Sequence, residues 1–249
     1  MLRKQSNDIE WLEFELLADC KNLDHGVFLR HGGTSSTPYH SLNLGLSTKD
    51  DPQSVKNNLS SVAKLFKTNH LYGVRQVHGK DVHIVEKGDT SFPFADAIAT
   101  NHPDHALIIK HADCQSAILY DPIHHALTSV HSGWRGSVAN IYDQAVSTMK
   151  ETYNSKPQDI IACIGPSLGP DHAQFIHYKK ELPESFWSYQ TRPNYFDFWT
   201  ISYDQLISCG ILPHHIEIAK ICTYANEEDF FSYRHCEPTG RHGTVAVLR

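Results

Sequence analysis

The sequence is short of several things that would settle its class at once. It has only six cysteines in 249 residues (Cys20, Cys114, Cys163, Cys209, Cys222, Cys236), far apart and with no C-x-x-C pair. That excludes a compact zinc-finger pattern and reads as reduced thiols, not a disulfide framework. Only two methionines occur, Met1 and Met149, and no H-x-H pair, which leaves a copper centre short of ligands. No run approaches the roughly 18 apolar residues of a membrane span, and "MLRKQSNDIEW" lacks the apolar core of a signal peptide. The expectation is a cytoplasmic protein without membrane contact.

Positive charge is also scarce. Lys and Arg number 22 against 28 Asp and Glu, a net charge of −6, so a nucleic-acid-binding face is not expected. Small anions remain open, because a few arginines in one pocket override a negative total. No P-loop or G-x-G-x-x-G fingerprint supports a nucleotide triphosphate or dinucleotide role.

What is present alternates between strand and helix. "DDPQSVKNNLSSVAKLF" predicts a helix, with Asp51 as N-cap, Pro52 at the first turn and Val55, Leu59, Val62 and Phe66 at helical spacing. "YGVRQVHGKDVHIVEKGD" reads as a β-hairpin around a His-Gly turn. "HALIIKHADCQSAILYDP" and "HALTSVHSG" read as strands, turning at Asp121-Pro122. From Gly136 a helical stripe runs through Val138, Ile141, Tyr142, Ala145 and Met149, so "SGWRG" sits at a strand-to-helix junction. "DIIACIGPS", "IEIAKIC" and "TVAVLR" add strands, and "FDFWTISYDQLISCG" a helix closed by Gly210. The pattern predicts one α/β (α+β) domain over residues 1–249, with layered mixed β-sheets flanked by helices.

Three polar residues stand at strand ends: His78 in "RQVHG", Cys114 in "ADCQ" and His131 in "VHSGWRG". Each alone fits a satisfied structural residue, and Cys114 a small buried hydrophobe. Together, two imidazoles and a thiolate would make a three-ligand zinc site with an open fourth position, the arrangement of catalytic sites. Copper is the weaker choice for want of a placed methionine. A metal-free alternative makes Cys114 a nucleophile with His131 as its base, leaving His78 without a role. A second group sets arginines beside glycines and hydroxyls: Arg30, Arg135, Arg234 and Arg241, whose forks suit phosphate or carboxylate.

"FLRHGGTSSTPYHSLNLGLSTKDDPQSVKNNL", "RQVHGKDV", "ADAIAT", "HADCQSAILYDP", "VHSGWRG", "CIGPSLGP" and "FFSYRHCEPTGR" follow one another over residues 28 to 242. In this order they resemble the laccase-domain family, the polyphenol-oxidase-like or multicopper-oxidase-like purine nucleoside phosphorylases. The resemblance implies a fold similar to cysteine-deamidase toxins and a zinc site at His78, Cys114 and His131, which would also be the catalytic residues. It implies phosphorolysis of adenosine, inosine and methylthioadenosine with phosphate, and deamination of adenosine. Copper-dependent polyphenol oxidation and editing of peptidoglycan precursors are the family's other suggested roles. Arg30, Arg135 and Arg234 are expected at phosphate, and Asn43 and Gln76 at the nucleoside. The chain departs from the family after "GPSLGP", where a Cys-Cys-Tyr-Glu-Val run is replaced by "DHAQFIH". It departs again at His235, which stands where a second arginine follows Ser-Tyr-Arg.

Overall fold

The computed structural model describes residues 1–249. The strands are β1 (Leu2–Ser6), β2 (Ile9–Glu13), β3 (Leu23–Phe28), β4 (Leu71–Tyr72), β5 (Val82–Ile84), β6 (Ala97–Thr100), β7 (Ala106–His111), β8 (Gln115–Asp121), β9 (Ala126–Ser132), β10 (Ile161–Ile164), β11 (Gln190–Arg192), β12 (Tyr195–Phe196), β13 (Ile216–Ile218) and β14 (His242–Leu248). The helices are α1 (Pro52–Leu65), α2 (Trp134–Val138), α3 (Ile141–Tyr153), α4 (Tyr178–Glu181) and α5 (Phe198–Ser208). One mixed sheet runs β1-β2-β3-β14-β7-β4 and a second β13-β10-β8-β9-β6-β5, while β11 and β12 form a separate ribbon.

The period-2 geometry of the strands explains the layering. On β7, Leu107 and Ile109 point into one apolar cluster, shared with Ile118 and Tyr120 of β8 and Leu127 of β9. This cluster is the interface of the two sheets. The alternate residues of β7, Ala106 and Ile108, pack outward against Val62 and Phe66 at α1. On the other side Ala117 and Leu119 of β8 pack against Tyr142, Ala145 and Met149 of α3 and Leu206 of α5. The result is four layers, helix, sheet, sheet, helix. Central strands covered on both faces read as continuous apolar runs, as "ALII" and "AILY" do.

Local signals account for the helix ends. The Asp51 carboxylate accepts the N–H groups of Gln53 and Ser54, and Pro52 opens α1. Asn58, buried in that helix, donates to Ser35 and to the carbonyls of Ser41 and Asn43, tying the loop of residues 29–50 to it. Asp197 caps α5, and Gly210, at φ +92°, ends its path. The single helix expected after Gly136 is two: Asn140, at φ 53°, breaks the run and caps α3 through Asp143 N–H.

The expected hairpin around His78 does not form. β4 pairs in parallel with β7 in the first sheet, and β5 in parallel with β6 in the second. The chain between them crosses from sheet to sheet, and His78 sits on that crossing. β1 is almost wholly exposed and the β11–β12 ribbon buries one residue, so neither carries the apolar alternation that marks a strand in sequence.

Candidate metal centre

The hairpin register brings two of the three candidate ligands together. β8 and β9 are antiparallel with Gln115 opposite Ser132 and Ser116 opposite His131, so Cys114, one residue before β8, falls at the same end as His131. A sequence separation of 17 residues is thereby only the length of the hairpin. His78 arrives from the crossing between sheets, in the left-handed region at φ 61°. The nitrogen and sulfur donor atoms of His78, Cys114 and His131 all lie within 4.8 Å of one another. Cys114 Sγ is 3.9 Å from His78 Nε2, and the two imidazoles meet edge to face with ring centres 5.0 Å apart.

One buried carboxylate organises the set. Asp96, just before β6, accepts from Nδ1 of His131 at 2.8 Å. It also accepts the backbone N–H groups of Val77 (3.1 Å), His78 (2.9 Å) and Gly79 (2.6 Å). An ionised carboxylate only accepts, so His131 donates from Nδ1 to Asp96 and turns Nε2, the nitrogen a metal would take in place of a proton, toward Cys114 and His78. Burial pushes Asp96 up, but the bonds from His131 and Gly79 outweigh it and hold the carboxyl below its usual range. Burial likewise opposes a charged Cys114, yet the imidazoles of His131 and His78 prevail and lower the thiol. In return the Cys114 sulfur and Asp96 raise His131 against its own desolvation.

Gly133 completes the cradle. A Cβ there would lie 2.6 Å from His78 Cδ2 and 3.2 Å from Cys114 Sγ, so a side chain would occupy the room the donors share. The residues present therefore fit a single metal ion: two nitrogens, one thiolate-prone sulfur, an acceptor behind one imidazole, and space in front. Met149, the sole internal methionine, is buried among the α3 core residues and takes no part.

The trio opens into a cavity of about 900 Å³. Five basic residues line it, Arg75, Lys110, Arg135, Arg234 and Arg241, against the single acidic Asp113. The Arg135 guanidinium lies over Trp134, 4.6 Å from the ring centre, with no carboxylate partner. Arg234 donates to the Gln174 carbonyl while its backbone N–H is held by Asp113, and Arg241 donates to the carbonyls of Thr239 and Gly240. Leu168, Ala173, Phe175 and Phe198 form the apolar wall, continuous with a cluster around Phe196.

Two expected contacts do not reach this cavity. Arg30 lies over the Phe231 ring and donates to the carbonyls of His40 and Glu227, so it braces the loop of residues 29–50. Asn43 is fully buried, with its amide given to Thr48 and Asp50 and its oxygen to the N–H groups of Gly45 and Arg241. Gln76 does line the cavity, but its carboxamide is paired with the Lys110 backbone at 2.6 and 3.0 Å. Arg135 and Arg234 line it. Asp96, Arg75 and Lys110 were not expected at all. A charged residue inside the apolar "ALIIKHA" run and an aspartate within "ADAIAT" were the available signals.

The family described as multi-copper polyphenol oxidoreductase laccase matches residues 24–249. A purine nucleoside phosphorylase of Bacteroides thetaiotaomicron is 28% identical over 257 residues, 92% of each chain. The purine nucleoside phosphorylase YfiH of Escherichia coli is 30% identical, covering 88% of this chain and 91% of that one. Among solved structures, the Bacillus licheniformis hypothetical protein YfiH superposes with a TM-score of 0.89 at 26% identity, over 99% of both chains. YlmD from Geobacillus stearothermophilus gives 0.89 at 27% identity, over 99% of this chain and 98% of that one. A match through nearly the whole sequence and the same α+β fold lead to one statement: the chain belongs to the laccase-like polyphenol oxidoreductase family, among relatives named purine nucleoside phosphorylase.

Proposed function

We propose that this protein is a zinc-dependent purine nucleoside phosphorylase acting on adenosine, inosine and methylthioadenosine, with adenosine deamination as a side activity. The observation that carries it is the single His78–Cys114–His131 donor set at the floor of a cavity lined by cations. Relatives named for phosphorolysis support the reaction class.

The donor chemistry favours zinc over copper. Two imidazoles and a thiolate with open space form a catalytic zinc set. A blue-copper site wants an axial methionine, and a multi-copper oxidase needs further clusters of ligands. His78, Cys114 and His131 form one cluster, and no second group of three or more such donors exists in the chain. Zinc held there would supply a Lewis acid at the cavity floor.

The chain's own residues would do the rest. During phosphorolysis, phosphate forms a bond to the anomeric carbon as the bond to the purine nitrogen breaks, and the departing base takes the electron pair. The Arg135 fork, free of any carboxylate and facing the cavity, is placed to bind phosphate, with Arg234 beside it. The apolar wall of Phe175 and Phe198 suits a purine face and excludes water from the reacting carbon. Asp96 keeps His131 oriented throughout. The experiment is incubation of the purified protein with inosine and phosphate. Hypoxanthine and ribose 1-phosphate should appear only when phosphate is supplied. Equal release of base without phosphate would make the enzyme a hydrolase and remove the role given to Arg135.

A further inference from the structure

The cations of the cavity fall into two groups. Arg135 follows Gly133 and Trp134, at the metal trio. Arg75 and Lys110 both contact the Phe92 ring: the Arg75 guanidinium is 5.7 Å and the Lys110 ammonium 4.8 Å from its centre. Arg75 also lies over Phe94, 5.5 Å from that ring's centre. Arg75 lies three positions before His78 and Lys110 four before Cys114, which sets both at most roughly 10–14 Å of chain from the trio.

Neither cation has a counter-charge. The Arg75 guanidinium makes no hydrogen bond or ion pair, and its contacts are the two rings. Lys110 reaches only the Val74 carbonyl, at 3.5 Å. Its backbone is locked to Gln76 in both directions, so the side chain projects from a fixed point. Arg234 and Arg241, by contrast, are spent on main-chain carbonyls. Burial lowers Lys110 with no counter-charge to offset the lost solvation, and an anion bound beside both cations would relieve that cost. Lys110 Nζ and Phe92 both pack close to Gly73, each 3.4 Å from where a Cβ would stand. The cavity, about 900 Å³, is at the upper end of small-molecule sites and has room beyond a nucleoside.

We propose that Arg75 and Lys110, gathered at Phe92, form a second anion site that binds a phosphate group in the same cavity as the metal trio. This deepens the phosphorylase reading and rests on it for the identity of the nucleoside. Two sources supply such a group: a phosphomonoester carried by the nucleoside itself, as in a purine nucleoside 5′-monophosphate, or free orthophosphate.

Calorimetric titration of the whole protein, at fixed ionic strength and with metal content recorded, separates these. The probes are inosine, inosine 5′-monophosphate and inorganic phosphate. The monophosphate should bind at least tenfold more tightly than inosine. Arg75→Gln should weaken it about tenfold, and Arg75→Gln/Lys110→Met should bring it to the inosine level with inosine affinity unchanged. Arg75 is exposed, so its variant alone keeps the test valid should the double variant fold poorly. If the monophosphate binds no better than inosine but orthophosphate affinity falls tenfold in Arg75→Gln, the site stands and free phosphate is its occupant. Affinities of both anions that are indifferent to Arg75→Gln would overturn the proposal. Absence of phosphorolysis would count against the proposed reaction and leave these binding constants readable.

Discussion

Asp96 Oδ1 lies 2.8 Å from Nδ1 of His131 and 2.9 Å from the backbone nitrogen of His78, so one carboxylate positions two of the three candidate ligands. Asp96→Asn cannot keep this arrangement. Its amide must set N–H against either His131 or the N–H groups of Val77 and Gly79. Metal affinity is expected to fall roughly 10–100-fold with all three ligands still present. Competition with a chelator measures this, and an affinity equal to wild type would show that the trio is held without Asp96.

Cys114→Ala, His78→Ala and His131→Ala should each lose metal and activity together, from a starting content of about one zinc per chain. Metal analysis beside turnover distinguishes a ligand from a nucleophile at Cys114. If Cys114 attacks substrate directly, His78→Ala keeps substantial activity and chelator leaves the wild type working. Several coppers per chain would return the protein to the oxidase reading.

Gly133→Ala tests the cradle without touching a ligand. The backbone there is at φ −76°, which any residue adopts, so the clash with His78 and Cys114 is the only cost. Metal content should drop while the thermal midpoint of the metal-free protein stays within a degree or two of wild type. A fully loaded variant would show that His78 can shift freely.

Arg135→Lys keeps the charge and loses the fork. The Michaelis constant for phosphate should rise about tenfold, in line with roughly 1–3 kcal/mol for a charge-assisted pair, while zinc content holds. Phosphate dependence unchanged in the variant would make Arg135 a partner of Trp134 only.

Acid should destabilise the fold between about pH 6.5 and 4. Burial lowers His25 and His242 to about 4, and each accepts a backbone N–H on Nε2, from Phe14 and Phe231 respectively. The unfolded chain, near 6.5, takes up protons first as pH falls, so stability is complete above pH 6.5 and declines toward pH 4 by up to about 3 kcal/mol per histidine. His242→Gln retains an acceptor and a donor but does not titrate. Urea midpoints of the variant should fall less between pH 7 and 4.5 than those of the wild type; equal slopes would dismiss His242 as a source.

The residues of chemistry were legible in the sequence because chemistry is local in type. His78, Cys114 and His131 announce themselves by kind and by their glycine and aspartate neighbours, and α1 by its Asp51-Pro52 start and apolar period. The layered α+β class followed from alternating apolar runs and helical stripes. Pairing is not local. Nothing in "VRQVHGKDVHIV" says that its two halves belong to different sheets, because a strand's partner depends on the whole chain's burial. That crossing puts His78 against Cys114, and the β8–β9 register puts Cys114 against His131. The arginines divided for the same reason. Arg30 and Arg135 are alike in sequence, yet one meets carbonyls within a loop while the other is left facing the cavity with its charge unspent. Residue type set which groups could bind metal and phosphate; only packing decided which of them were left free to do so.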